Sequence, residues 1–113
     1  MFDLTGKAAL VTGASGGIGG AIARALHGRG ARVALSGTRE PALRALADEL
    51  GEGAAVAVAD LAAPAAAEGL IRAVEEWFGG LDILVNNAGV TRDGLLLRMK
   101  DEDWAHVLEV DLT

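Results

Sequence analysis

"VTGASGGIGG", Val11 to Gly20, follows the apolar run "AAL" at Ala8–Leu10, and half of its residues are glycine. Glycine loses more backbone freedom on folding than any other residue, so this density needs a reason. The residues before it predict a short buried strand, Lys7–Thr12. After it, Ile18, Ile22, Ala25 and Leu26 recur at helical spacing, and Gly28 and Gly30 close that helix. The stretch is therefore a strand–turn–helix junction, spaced Gly13-x-x-x-Gly17-x-Gly19. A turn this tight needs backbone angles that glycine supplies. With no side chains in the way, a pyrophosphate can reach the helix N-terminus, where free N–H groups and the positive dipole end meet its charge. Gly13, Ala14, Ser15, Gly16, Gly17, Ile18 and Gly19 form this predicted cradle, and Gly19 and Gly20 are expected to let the helix sit close to the sheet. The competing reading is a plain turn. Its place at the first strand–helix junction favours a dinucleotide. No Gly-Lys-Ser/Thr ending follows, which excludes the phosphate loop of NTPases.

Outward from this junction, strands and helices alternate. Arg32–Ser36 is the second strand. Glu40–Leu50 is a helix with Leu43, Leu46, Ala47 and Leu50 on one face, Pro41 in its first turn and Gly51 as its cap. Ala54–Ala59 is the third strand, and Pro64–Phe78 a helix with Ala67, Leu70, Ile71, Val74 and Phe78 inward. Trp77 is expected to pack beside Phe78. Leu81–Val85 is the fourth strand, and Asp101 opens a last helix, "DEDWAHVLEVDLT", whose acidic first turn complements the macrodipole. This alternation predicts an α/β fold: a Rossmann-like parallel sheet, order 3-2-1-4, with flanking helices. The expected domain is residues 1–113, truncated after the fourth βα unit. No stop signal precedes Thr113, and "LDILV" would need a further strand beside it.

The chain of 113 residues carries a net charge of −6, which argues against nucleic-acid or anionic-membrane partners. It has no cysteine, so disulfides and thiolate metal sites are excluded. "MFDLTGK" lacks the basic and apolar regions of a signal peptide, and no apolar run reaches membrane-spanning length. The cytoplasm is the expected compartment.

A dinucleotide needs a second wall. "NNAG", Asn86–Gly89, ends the fourth strand and faces the glycine loop across the topological switch point. Ala88 and Gly89 leave room for ribose and base, and Asn87 can donate and accept beside them. Read alone, the stretch is equally an Asn-Gly turn. Asp60, with Leu61, ends the third strand; its carboxylate can accept from an adenine amino group or cap the next helix. The end of the second strand, "SGTRE", decides the cofactor. An acid there would grip a ribose 2′-hydroxyl, but Gly37 and Thr38 are neutral and Arg39 is cationic. Thr38 and Arg39 suit a 2′-phosphate, so NADP(H) is expected over NAD(H). Glu40 counts against this unless it points away along the next helix.

These residues together resemble the short-chain dehydrogenase/reductase family, through the loop Thr12–Gly19, the motif Asn86–Gly89 and Asp60. Within it, "LDILVNNAGVTRDGLLLRMKDEDW" is similar to the N-terminal half of bacterial 3-oxoacyl-[acyl-carrier-protein] reductases. The resemblance implies a homotetrameric oxidoreductase of fatty-acid synthesis. It moves hydride from NADPH to a 3-oxoacyl chain carried on acyl carrier protein. It also implies a catalytic Ser, a proton-donating Tyr and a Lys four residues later. Tyrosine is absent, the lysines are Lys7 and Lys100, and the serines are Ser15 and Ser36, so the catalytic half is expected to be missing and the chain inactive alone. Asp111 stands where the family carries a catalytic Asn. It can accept but not donate like an amide. Gly16 stands where many relatives carry an Arg for the 2′-phosphate, which leaves more to Thr38 and Arg39.

His27 and His106 are expected at the surface, and Asp103 with His106 is too few groups for a metal site. Arg92, Arg98 and Lys100 are either a solvated basic cluster or a docking patch for an acidic carrier. Three functions compete: the cofactor half of a reductase, a free-standing NADP(H)-binding module or split enzyme half, and an inert truncation product.

Overall fold

Apolar residues run unbroken through the central strands, as strands covered on both faces require. In the computed structural model, which describes residues 3–58, 64–86, 94–100 and 105–111, with side chains for 3–57 and 68–85, these strands form the middle of one sheet. The elements are β1 (Ala8–Val11), α1 (Gly17–Gly28), β2 (Arg32–Gly37), α2 (Glu40–Leu50), β3 (Ala54–Val58), α3 (Pro64–Phe78), β4 (Ile83–Asn86), β5 (Gly94–Lys100) and β6 (Ala105–Asp111). The sheet order is β3-β2-β1-β4-β5-β6, and its first four strands are parallel. The expected 3-2-1-4 Rossmann-like arrangement is present. No helix among the described residues is long and apolar enough to cross a membrane.

Strand alternation sends successive residues to opposite faces, and each face has its own core. Ala9, Val11, Val33, Leu35, Ile83 and Val85 pack with Ala23, Leu43 and Leu46 of α1 and α2. Leu10 and Ala34 point the other way, with Leu70 and Val74 of α3. The chain changes face between β3 and β4, and this places the switch point between β1 and β4. Arg32 lies over the Phe78 ring, 5.1 Å from its centroid, and closes the end of the α3 layer. Trp77 departs from expectation: it is 50% exposed, because α3 turns it one residue off the inward stripe.

Two local bonds hold the frame. Asp82 Oδ2 accepts from the Ala8 N–H at 2.9 Å, while the Asp82 N–H donates to the Ala8 carbonyl at 2.9 Å, pinning the start of β1 to β4. Arg24 of α1 grips both carboxylate oxygens of Glu49 of α2. His27 is half-buried near the end of α1, where its Nε2 donates to the Glu52 carbonyl at 2.7 Å.

The expected final helix from Asp101 is corrected. Ala105–Asp111 is a strand, β6, paired antiparallel with β5, which pairs antiparallel with β4 from Ile83↔Met99 to Asn86↔Leu96. Residues 101–104 and 112–113 lie outside the described residues. The fourth βα unit is thus a β-hairpin here, and β4 does have a neighbour on its far side. The cause is the open edge of β4, whose backbone groups need partners. Val107 and Val110 suit a strand as well as a helix, so periodicity alone did not separate the two.

Asp82→Ala leaves the buried Ala8 N–H unpaired and should lower stability by about 1–3 kcal/mol in urea unfolding. Glu49 has its pKa lowered by hydrogen bonding to Arg24. A lowered carboxylate pKa adds stability above its unfolded value, which fades as pH falls through the folded value. Glu49→Gln should therefore flatten that acid limb of a Tm-against-pH curve and leave Tm near neutrality only slightly reduced.

Candidate functional site

The glycine loop is fastened to both neighbours of β1. The Thr12 N–H donates to the Val85 carbonyl of β4 at 3.0 Å, and the Thr12 hydroxyl bonds the same oxygen at 3.3 Å. On the other side the Ala14 N–H donates to the Ser36 carbonyl of β2 at 2.9 Å. Thr12 and Ala14 are buried, so these bonds lie away from water. The loop thus bridges the carboxyl ends of β2 and β4, over the switch point.

The glycines divide by what demands them. Gly13 has φ +63°, a left-handed conformation that disfavours side chains. A Cβ on Gly19 would collide with the Gly13 carbonyl oxygen and lie 2.9 Å from its carbon and 3.0 Å from Ala14 Cα. This close approach is the expected seating of the first helix. Gly20 is not needed for it, since a Cβ there would meet the Ala14 carbonyl at an ordinary 3.5 Å. Gly16 and Gly17 have neither constraint: a Cβ on Gly16 would be 3.6 Å from the Gly13 oxygen, and one on Gly17 would meet nothing within 4 Å. Their smallness leaves space in front of the helix rather than inside the fold.

That space lies at the start of α1. The first helical bond runs from the Gly20 N–H to the Gly16 carbonyl at 2.9 Å, so the N–H groups of Gly17, Ile18 and Gly19 have no intrahelical acceptor. Gly16 offers no side-chain cap and no acid occupies the first turn, so α1 itself carries neither of the usual offsets to its positive dipole end. Ile18 is 53% exposed beside these groups, an apolar surface at the mouth of the cradle.

Thr38 and Arg39 follow β2 and are exposed; Arg39 is the N-cap residue of α2. Glu40 is turned along α2, where Arg44 Nε donates to its Oε2 at 3.0 Å. Among the described residues Arg39 makes no ion pair. Sequence reasoning missed one contact. Ser15 Oγ would lie 3.1 Å from a Cβ on Gly37, so the absence of a side chain on Gly37 lets Ser15 fold over the end of β2. A glycine as last residue of an otherwise apolar strand was the available signal. Asp60, Leu61, Asn87, Ala88 and Gly89 lie outside the described residues, as do Arg92 and Asp103. Asp111 ends β6 in register with Gly94, on an edge strand rather than a helix. The side chains of Asp111, Arg98, Lys100 and His106 are likewise not described.

Gly19→Ala should destabilise the chain by about 1–3 kcal/mol, because backbone rather than a flexible side chain must give way. Gly17→Ala should change stability by no more than about 0.5 kcal/mol. Thermal or urea unfolding of the two variants separates them.

The short chain dehydrogenase model matches residues 7–113. "Nodulation protein G" of Rhizobium sp. (strain N33) is 56% identical over the whole chain, which corresponds to 46% of that protein. The 3-oxoacyl-[acyl-carrier-protein] reductase FabG of Escherichia coli (strain K12) is 48% identical over 98% of the chain, again 46% of that protein. The chain therefore spans about half the length of these relatives. Among solved structures, a short chain dehydrogenase from Mycobacterium smegmatis superposes with a TM-score of 0.72, at 39% identity over 78% of this chain and 39% of its own. A hydroxysteroid dehydrogenase from Escherichia coli gives 0.68, at 32% identity over 72% and 35%. With its loop, sheet order and sequence in agreement, the chain belongs to the short chain dehydrogenase family.

Proposed function

We propose that residues 1–113 are the cofactor-holding part of an NADPH-dependent 3-oxoacyl-[acyl-carrier-protein] reductase. Family membership and fold imply a nicotinamide cofactor. The observation that carries the binding role is the cradle at Gly16 and Gly17, whose openness the fold does not require. The identity of about half to 3-oxoacyl-[acyl-carrier-protein] reductases supports an acyl-carrier-linked substrate.

In this reading the N–H groups of Gly17, Ile18 and Gly19 hold the pyrophosphate. Ile18 offers an apolar wall, and Ser15 braces the loop against β2. The bound cofactor supplies the hydride that reduces a ketone carbon. The phosphate preference rests on Arg39: with Glu40 engaged by Arg44, the guanidinium is left to meet a 2′-phosphate, with the Thr38 hydroxyl beside it. Asp60, Leu61, Asn87, Ala88 and Gly89 are assigned to the adenosine and ribose. Asp111 is assigned the family's Asn position. Without tyrosine, the 113 residues alone are proposed to lack the proton donor and to be inactive.

Fluorescence titration should show tighter binding of NADPH than of NADH. Arg39→Ala should weaken NADPH by about tenfold, near 1.4 kcal/mol, and leave NADH nearly unchanged. Equal loss for both cofactors, or an NADH preference in the parent chain, would overturn the assignment. Gly17→Ala should weaken both equally. The chain alone should not oxidise NADPH in the presence of a 3-oxoacyl thioester.

A further inference from the structure

We infer that Arg44 of α2 is a positioning residue for cofactor selection: by holding Glu40, it keeps a carboxylate away from the place of the 2′-phosphate beside Arg39. The inference rests on the NADPH reading above and names the residue on which that selectivity turns. Three observations carry it. First, Glu40 is the opening residue of α2 and directly follows Arg39. Second, the Glu40 carboxylate is engaged by Arg44, whose Nε donates to its Oε2 at 3.0 Å, and among the described residues it has no other partner. Third, the side chains of Arg44 and Glu40 are 64% and 51% exposed, so they are held by each other rather than by packing. The order, acid four residues before base, is the favourable one on a helix.

A Glu40 released from Arg44 has two places to go, and both penalise a 2′-phosphate. It can pair with the Arg39 guanidinium and take the phosphate's partner away. Adjacent residues inside a helix do not face each other, but Arg39 precedes the helix with φ −102° and ψ 85°, so that restriction does not separate the two. Alternatively the carboxylate stands beside the ribose, where it repels a phosphate and accepts from a 2′-hydroxyl, as acids at the end of a second strand do for NAD(H). The charge balance agrees. Arg39 and Arg44 against Glu40 leave one net positive charge at the head of α2, and without Arg44 none remains. An exposed ion pair is weak, so the effect is a graded shift in preference rather than loss of binding.

Fluorescence titration of the whole chain with NADPH and with NADH tests this. Arg44→Ala should weaken NADPH by about threefold and leave NADH unchanged or slightly tighter. Arg44→Lys should restore most of the loss, and high salt should erase the difference between parent and Arg44→Ala. The urea midpoint should hardly move, which separates positioning from a structural role. Glu40→Gln supplies the control: with no carboxylate to hold, adding Arg44→Ala should no longer shift the NADPH-to-NADH ratio. A ratio unchanged by Arg44→Ala, or the same loss when residue 40 is already Gln, overturns the inference and leaves the NADPH reading standing. A parent chain with no preference for NADPH overturns both.

Discussion

The close approach of Gly19 to the Gly13 carbonyl sets the rest of the structure. It brings the first turn of α1 onto the end of β1, with no room for a Cβ between them. From that seating follow the direction of α1 across the sheet and the return to β2. The two loop bonds, from Thr12 to Val85 and from Ala14 to Ser36, then lock the ends of three strands together. A local backbone constraint thereby becomes a constraint on sheet order. The same seating aims the first N–H groups of α1 out over the switch point. Architecture and the proposed binding surface share one cause.

The other end of the sheet is under a different constraint. Strands β1 and β2 are flanked on both sides by parallel neighbours and buried on both faces. Strand β4 depends on whatever follows it in sequence. The antiparallel hairpin satisfies it with local chain, the economical solution for a nearby segment. The fold thus combines a rigid parallel core with a margin set by pairing opportunity.

Most of the core was legible in the sequence, because the patterns there are redundant. For Glu40–Leu50, the leucine spacing, Pro41 and Gly51 all agree, and the helix has those bounds. The odd–even burial of Val33, Ala34 and Leu35 follows from strand geometry once β2 is recognised. The Ala105–Asp111 segment was not legible, since its apolar spacing fits both periods and the deciding influence lies elsewhere, on β4. Within the site, the Gly13–Gly19 loop was readable from spacing. The division of labour among its glycines was not: one-letter code does not distinguish a glycine with positive φ from one that merely leaves space. The turning of Glu40 toward Arg44 was readable, as an i,i+4 pair on a helix. The fold of Ser15 over Gly37 was not, because it joins residues far apart in the chain.

The division among the glycines also bears on history. Folding alone would preserve Gly13 and Gly19 in any lineage, since replacing either strains backbone. Folding does not protect Gly16 or Gly17. Random substitution would remove them early in a chain released from selection for a ligand, and most replacements there would be silent for stability. Their presence together in this loop is thus unexplained by the protein's own need to fold, and the proposed cofactor reading supplies the reason.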